Sequence, residues 1–192
     1  MTQKDGLICW HYTFAGIVLS EYYLATGEKW VLPELEKIRD WLMETQFLDP
    51  KTQMAGAFKE EAKNDKITQS MLGGWGHNPG YEGYGPISMI TGQACMALSL
   101  MTRCGIKVNR ERHDKAYDFL QRGTSSIGYV EYSGSGGGNS SHWGDMGRTG
   151  ATSLANFLYV YGDDKYQQRA LLTSTCLGTN FKSFPEIGRA HV

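Results

Sequence analysis

The segment from Gly73 to Gly85 alternates glycine with aromatic and ionisable residues, and its side chains are the first candidates for chemistry. The acid/base candidates in it are His77, Glu82 and Tyr84. Imidazole, carboxyl and phenol groups of this kind can move protons during catalysis. Trp75 and Tyr81 present flat rings that can stack on a sugar or isoprenoid face, and glycine lets the backbone approach a ligand closely. We therefore expect a ligand site in this segment.

A second glycine-rich and serine-rich segment, residues 124–148, carries a similar set of side chains. His142 and Asp145 are further acid/base candidates, and Trp143 is a further stacking candidate. Arg148 comes just before a predicted helix, whose N-terminus could help it to hold a carboxylate or phosphate. The alternative interpretation is structural: the aromatic residues of both segments fill gaps between helices, the histidines are exposed or structural, and Asp145 is a turn residue paired with Arg148.

Two further candidates lie in the first predicted helix, residues 10–26. His11 stands at its start, and Glu21 is its single charged residue in an otherwise apolar sequence. A buried carboxylate is costly unless it is paired. If the helix is buried on most sides, Glu21 must therefore meet a partner such as His11 or face a central cavity.

A metal site could in principle be built from His77, His142 and Asp145, because two imidazoles and one carboxylate are a known ligand set for zinc. These residues come from different loops, and no local spacing brings them together. We predict no metal and no cofactor.

These loops connect predicted helices, and along the chain an apolar helix is each time followed by an amphipathic one. The apolar (inner) helices are predicted near residues 10–26, 87–103 and 150–161, and the amphipathic (outer) ones near 33–46, 109–122 and 164–176. The hairpins they form span about 10–46, 87–122 and 150–176. The linker inside each hairpin is short, whereas the long glycine-rich loops all lead into inner helices. The loops should therefore meet at one end of the fold, and function should lie there.

Repeated hairpins of this kind predict an all-α fold, an α/α toroid or helical solenoid with about three hairpins of an incomplete ring in residues 1–185. Residues 47–72 are polar and irregular, and we make no firm prediction for them. The last residues, 186–192, match one reading frame of a common short-read sequencing adapter, so we expect a tail outside the fold and a chain that is a fragment. An incomplete ring would expose an apolar helix flank at each end, so we expect self-association and the remainder of the chain as a natural partner.

The helix and loop pattern resembles the α/α-toroid superfamily of terpenoid cyclases and protein prenyltransferase β subunits. SEYYLATG, GGWGHNPGYEGYGPIS and GRTGATSLANFLYVYGDDKY more closely resemble a family of uncharacterised bacterial proteins near that superfamily, over residues 8–180. Extracytoplasmic location in a bacterium is an expectation from this resemblance. Toroids with aromatic-lined mouths commonly act on polysaccharides, so the resemblance implies a carbohydrate-active lyase or hydrolase first, with Arg148 orienting an acidic group.

Two other classes of function stay open. One is a non-catalytic domain that binds a glycan or a protein with the same loop end. The other is a terpenoid cyclase or prenyltransferase-like enzyme, which the sequence disfavours. A terpenoid cyclase needs aspartates that protonate its substrate, but the only adjacent aspartates of this chain, Asp163 and Asp164, are better suited to capping a helix. The zinc ligands of a prenyltransferase cannot be matched in this sequence.

The composition of the chain argues against some classes of binding partner. A net charge of −1 offers no basic field for nucleic acid or an anionic membrane. No apolar run approaches the roughly 20 residues of a membrane span. The four cysteines form no CxxC pair, and three of them lie in predicted apolar helices, so they are interpreted as small buried hydrophobic residues.

Overall fold

The computed structural model describes residues 6–54, 58–81, 85–134 and 145–180, with only the backbone described at 145 and 146. Over these ranges the protein is all-helical and contains no β-strand. The α-helices are α1 (Ile8–Thr26), α2 (Leu32–Thr45), α3 (Pro50–Gln53), α4 (Asp65–Met71), α5 (Ser88–Arg103), α6 (Arg110–Arg122), α7 (Asp145–Leu158) and α8 (Asp164–Asn180). Short 3-10 helices span Lys29–Val31 and Glu61–Lys63. The predicted tail, residues 186–192, lies outside the described ranges.

Most helix ends lie where local sequence signals place them. Gly27 ends α1 in the left-handed conformation, with a φ of 73°, and donates its N–H to the Tyr23 carbonyl. The Asn109 side chain caps α6 by accepting the N–H of Arg112 at 3.1 Å. Asp163 accepts the N–H of Lys165 at 3.0 Å before α8, so the capping interpretation of the adjacent aspartates is confirmed for Asp163.

Three helix boundaries differ clearly from the prediction, and one of them is the end of α8, at Asn180 rather than near 176. Helix α7 starts at Asp145 rather than near 150, because the glycines at 147 and 150 are tolerated inside it, and it ends at Leu158 rather than 161. Residues 47–72, for which no firm prediction was possible, contain α3 and α4. The Asn64 side chain caps α4 by accepting the N–H of Ile67, which is a local signal that the polar composition concealed.

The contacts place the helices in two layers, but of the three predicted inner helices only α5 is buried at most of its residues. The inner layer contains α1, α5 and α7, with α5 in contact with both others. Helices α2, α6 and α8 each pack on the inner helix that precedes them, and so form an outer layer. Since α5 is covered on all sides, 13 of its 16 residues are buried. The main hydrophobic core lies between the two layers.

The flanking inner helix α1 is less buried than its apolar sequence predicts. Cys9, Thr13, Gly16 and Ser20 form its buried face towards α5. Its opposite face is open to solvent, and Val18 there is 62% exposed. The prediction that α1 is buried on most sides is therefore wrong, because the described residues place a neighbouring inner helix on only one of its sides.

A small second hydrophobic core lies beside α4. Phe47, Met54 and Met71 are buried together, and Phe58 and Tyr81 pack against them. The rings of Phe58 and Tyr81 meet edge to face, with centroids 5.0 Å apart. This core fixes α4 and Tyr81 next to the start of α5.

Candidate functional site

The N-terminal ends of the inner helices meet two loop segments, residues 75–78 and 130–133. Cys9 at the start of α1 donates its N–H to the His77 carbonyl at 3.0 Å. At the start of α5, Ser88 donates its N–H to the Tyr132 carbonyl at 2.9 Å. In α7, Thr149 accepts the N–H of Val130 through its side-chain oxygen at 3.1 Å. The predicted convergence of loops and inner helices at one end is thus present, and we call this region the loop end.

His77 is held in a defined tautomer at the loop end. The indole N–H of Trp10 donates to Nδ1 of His77 at 2.8 Å. Because an indole nitrogen can only donate, Nδ1 carries no hydrogen, and a neutral His77 has its hydrogen on Nε2. Nε2 lies 3.4 Å from the Tyr132 hydroxyl. His77 therefore presents a donor to Tyr132, not the lone pair that a general base needs.

Tyr132 joins His77 to a positive charge. The guanidinium carbon of Arg148 lies 5.4 Å from the centroid of the Tyr132 ring, within the range of a cation–π contact. Nε of Arg148 donates to the Val130 carbonyl at 3.3 Å, which fixes the guanidinium beside the ring. These contacts form a continuous row of polar and aromatic side chains, which runs through Trp10, His77, Tyr132 and Arg148. We call it the His77–Tyr132 row.

A cavity of about 520 Å³ opens beside this row. Helix α4 lines one side with Lys66, Ile67, Ser70 and Met71, and the opposite side is formed by Tyr81, Pro86 and Tyr132. Its walls combine two tyrosine rings, an apolar floor and one lysine, which is the usual composition of a site for a small ligand. Tyr81 lines this cavity, and its role in stacking on a ligand stays a prediction.

Comparison with known proteins gives a family and no activity. Residues 1–179 match the family model described as Domain of unknown function (DUF6288). The chain belongs to the DUF6288 family. No curated protein and no solved structure was found to match it. The matched residues of this DUF6288 domain include both sides of the cavity and the whole His77–Tyr132 row.

Trp75 does not reach the cavity of the DUF6288 domain. Its side chain is only 1% exposed, and its indole N–H donates to the Leu42 carbonyl of α2 at 2.9 Å. Its backbone N–H is bound by the Thr91 side chain of α5. The prediction of a ligand-stacking role for Trp75 is therefore wrong, and the structural alternative, in which the ring fills the space between hairpins, is correct for this residue.

His11 and Glu21, the two candidates on α1, are both solvent-exposed, and neither lines the described cavity. Because the Glu21 side chain is exposed to water, its carboxylate does not need a buried partner. His11 cannot pair with it, because ten residues of helix separate the two by about 15 Å along the axis. The interpretation of Glu21 as a buried carboxylate is wrong, since α1 has an open face.

Several predicted residues cannot be placed. Glu82, Tyr84, His142 and Trp143 lie outside the described residues, and the side chain of Asp145 does as well. The described backbone shows Arg148 inside the first turn of α7 rather than just before it. In the part of the chain that the structure describes, no group of three or more His, Cys, Asp or Glu side chains is arranged to hold a metal ion.

Sequence reasoning missed Trp10, Tyr132 and Lys66. Trp10 was interpreted as the start of an apolar helix, although an indole at a helix start beside a glycine-rich loop needs an acceptor for its N–H. Tyr132 is the last residue of GYVEY, and its spacing of three from Tyr129 fits no alternating pattern that would have marked it. Lys66 belongs to α4, which could have been found from the Asn64 cap and the Ile67–Met71 spacing.

A second polar cluster lies at the opposite end of the DUF6288 domain. His113 is fully buried, and its Nε2 donates to the Cys95 carbonyl at 3.3 Å. Burial lowers the pKa of His113 from 6.5 to about 4. The hydroxyl of Tyr159 donates to Asp114 at 2.5 Å, and burial raises the pKa of that phenol. The rings of Tyr117, Tyr159 and Tyr166 contact one another, so the cluster is a network that joins α6 and α8 to the end of α7.

The cysteines and the helices agree with the expectations from composition. All four cysteines are free and buried, and burial raises the pKa of Cys9 to about 12. None of the helices in the described ranges has the length and apolar character needed to cross a membrane.

Proposed function

We propose that this domain is a toroid-type α/α-hairpin module that binds an acidic carbohydrate at the loop end and cleaves it by elimination. One observation carries the proposal. The Tyr132 hydroxyl, next to a cavity of about 520 Å³, lies 3.4 Å from a His77 nitrogen and has the Arg148 guanidinium beside its ring. The toroid class is supported by the alternation of inner and outer helices and by the resemblance to terpenoid cyclases and prenyltransferases.

The charges favour an acidic substrate. Lys66 lines the cavity, and a second cation, Arg148, lies beside the ring of the lining residue Tyr132. A uronic acid residue would bring a carboxylate to these cations and a sugar face to the tyrosine rings. Toroids are used for many chemistries, so the fold alone supports no particular substrate.

Elimination needs no pair of carboxyl groups, so the described groups at the cavity could carry it out. Glycoside hydrolysis normally takes two carboxyl groups, one on each side of the bond. Among the described cavity-lining residues none has a carboxyl group. In elimination, a base takes the proton on the carbon next to the uronate carboxylate. The electron pair of that C–H bond forms a C=C bond, the C–O bond to the leaving sugar breaks, and the leaving oxygen takes a proton.

Each group has a role in this reaction. Ionised Tyr132 would take the proton from carbon and return it to the leaving oxygen. His77 would hold the Tyr132 oxygen in position through its Nε2–H, which the bond from Trp10 keeps on that nitrogen. Arg148 and Lys66 would neutralise the carboxylate and stabilise the charge that develops on it during proton removal.

The test is a turnover assay on a panel of polyuronates, read by the ultraviolet absorbance of the new C=C bond. We expect turnover on one polyuronate that Tyr132→Phe abolishes, because the variant loses only the hydroxyl oxygen. Tyr22→Phe is the matched control, since Tyr22 is 40% exposed on α1 and Tyr132 is 38% exposed. Absence of the new absorbance on every polyuronate would overturn the proposed reaction.

Binding measured in parallel distinguishes the alternative, a non-catalytic domain. A polyuronate that binds without turnover, and binds more weakly to Arg148→Gln, would assign the loop end to recognition alone. A neutral isoprenoid alcohol in the same panel tests the terpenoid-like alternative, which the apolar side chains of Ile67, Met71 and Pro86 in the cavity favour. Binding of the isoprenoid and of no sugar would replace the carbohydrate proposal.

A further inference from the structure

Each inner helix after the first lies in the groove between the two helices of the preceding hairpin. Helix α5 contacts both α1 and α2. At Gly16 of α1 the approach is so close that a Cβ would lie 3.1 Å from Ala97 of α5 and 3.3 Å from Ile38 of α2. Helix α7 repeats this arrangement one hairpin later. A Cβ on Gly92 of α5 would lie 3.2 Å from Ala151, and Tyr117 of α6 donates its hydroxyl hydrogen to the Ala155 carbonyl at 2.7 Å.

A Thr-Gly pair fixes the register of this repeat. Thr91 in α5 binds the N–H of Trp75 with its side-chain oxygen at 3.0 Å, and Thr149 in α7 binds the N–H of Val130 in the same way at 3.1 Å. The glycine that follows Thr91 is the one against which α7 packs. Gly150 follows Thr149 and is therefore the equivalent contact point for an inner helix that would follow α7.

That contact point is open in the described structure. The nearest described atom to a Cβ on Gly150 would be a methyl carbon of Leu177 in α8, at 3.9 Å. The groove between α7 and α8 has a volume of about 580 Å³, and its described lining carries no charged side chain. Phe157 and Leu171, on its two walls, are 70% and 67% exposed. We call this the α7–α8 groove.

At the other flank of the chain, the inner helix α1 has an exposed face that packs into no groove of the described residues. Phe14, Val18 and Tyr22 are spaced one helical turn apart on α1 and are 50%, 62% and 40% exposed. They lie opposite the α1 face that packs on α5, which is the side on which a preceding hairpin would lie. We call them the α1 stripe. The described lining of the groove is uncharged. The stripe is apolar, and the exposed side chains of His11 and Glu21 on the same helix face would border the contact.

We propose that the α1 stripe of a second copy of this chain occupies the α7–α8 groove, so that copies associate head to tail. The contact would continue the packing that joins α1–α2 to α5 and α5–α6 to α7 within one chain. It would cover the apolar side chains that are now most exposed on both flanks. Because two different surfaces meet, the association is heterologous and can add further copies. The proposal is independent of any ligand at the loop end.

Sedimentation velocity over a concentration series tests the proposal. We expect the average mass of the wild-type chain to rise with concentration. Val18→Asp blocks the stripe and Phe157→Asp blocks the groove, and each variant alone should remain monomeric. A mixture of the two should form a one-to-one dimer that does not grow further, because one intact stripe and one intact groove remain.

Ile127→Asp is the matched control, since Ile127 is 57% exposed in the loop before Tyr129 and belongs to neither surface. It should associate like the wild type. Circular dichroism of each variant verifies that the helices are intact, which exposed positions should allow. A wild-type chain that is monomeric at all concentrations would overturn the proposal. So would association that survives both substitutions, or a mixture that stays monomeric, because either result would mean that other surfaces make the contact.

Discussion

The indole N–H of Trp10 donates to Nδ1 of His77 at 2.8 Å, which joins the first turn of α1 to the loop before α5. We predict that neutral His77 carries its hydrogen on Nε2, because Trp10 can supply only a donor. Long-range proton–nitrogen NMR spectra of the imidazole distinguish the two tautomers. In Trp10→Phe the hydrogen bond is removed while an aromatic ring stays in place, so the ring should sample both tautomers.

Phe14→Leu is the control for this experiment, since Phe14 stacks on Trp10 at 6.1 Å and makes no described hydrogen bond to His77. It should leave the Nε2–H tautomer unchanged. A wild-type spectrum with the hydrogen on Nδ1 would contradict the prediction and would remove His77 from the role of donor to Tyr132.

Trp75 and Trp30 should differ widely in their effect on stability. Trp75→Phe leaves the Leu42 carbonyl without its indole donor and should lower the free energy of unfolding by about 1–3 kcal/mol. Trp75→Ala should cost about 3–5 kcal/mol, since the ring is fully buried. Trp30 is 60% exposed, and its replacement by alanine should change stability by less than about 1 kcal/mol. Urea unfolding followed by circular dichroism measures all three, and equal effects would refute the packing role of Trp75.

His113 should make the domain less stable in mild acid. Its pKa is about 4 in the folded protein against 6.5 for a free histidine, so the unfolded chain takes up a proton first as the pH falls. The free energy of unfolding should therefore decrease between about pH 6.5 and pH 4. The decrease is at most about 3 kcal/mol, since each pH unit between the two values corresponds to about 1.4 kcal/mol.

The matched variant is His113→Gln, whose side chain can still donate to the Cys95 carbonyl but does not titrate in this range. Other groups titrate equally in both proteins, so the difference between the two pH profiles isolates His113. A difference that is constant between pH 7 and pH 4 would show that His113 does not couple to folding.

The cysteine thiols should be unreactive in the folded protein. All four are buried, and desolvation raises the pKa of each, so little thiolate is present or accessible. A thiol-specific chromogenic reagent should give almost no colour under native conditions and four equivalents after unfolding. One thiol that reacts quickly in the native protein would identify an opening of the core around it.

Helix positions could be predicted because their signals are local. Gly27, Pro33 and Asn109 each act within a few residues, and each one marks a helix end in the structure. The buried character of α5 and the amphipathic character of α2 and α6 could also be read from the sequence. The exposed face of α1 could not, since an apolar helix looks the same in sequence whether both of its flanks are covered or one is open.

The candidate site was predicted only in part, because its geometry depends on contacts between distant residues. His77 and Tyr81 are candidates because of their glycine-rich surroundings, and the structure places both at the loop end. Trp75, with the same surroundings, turned out to be buried, since the direction of a side chain in a loop depends on the hairpin that packs beneath it. Tyr132 was missed because nothing near it in sequence reveals that His77 lies 3.4 Å from its hydroxyl.

The His77–Tyr132 row also has a consequence for the order of folding. Its hydrogen bonds join residues 67 and 55 positions apart in the chain, whereas each hairpin forms from near neighbours. Closing such long loops costs more entropy than closing short ones, so local hairpins should form before the row does. Ligand capture at the loop end would then begin only after the last folding step, and a refolding experiment would record the recovery of binding after the recovery of helix.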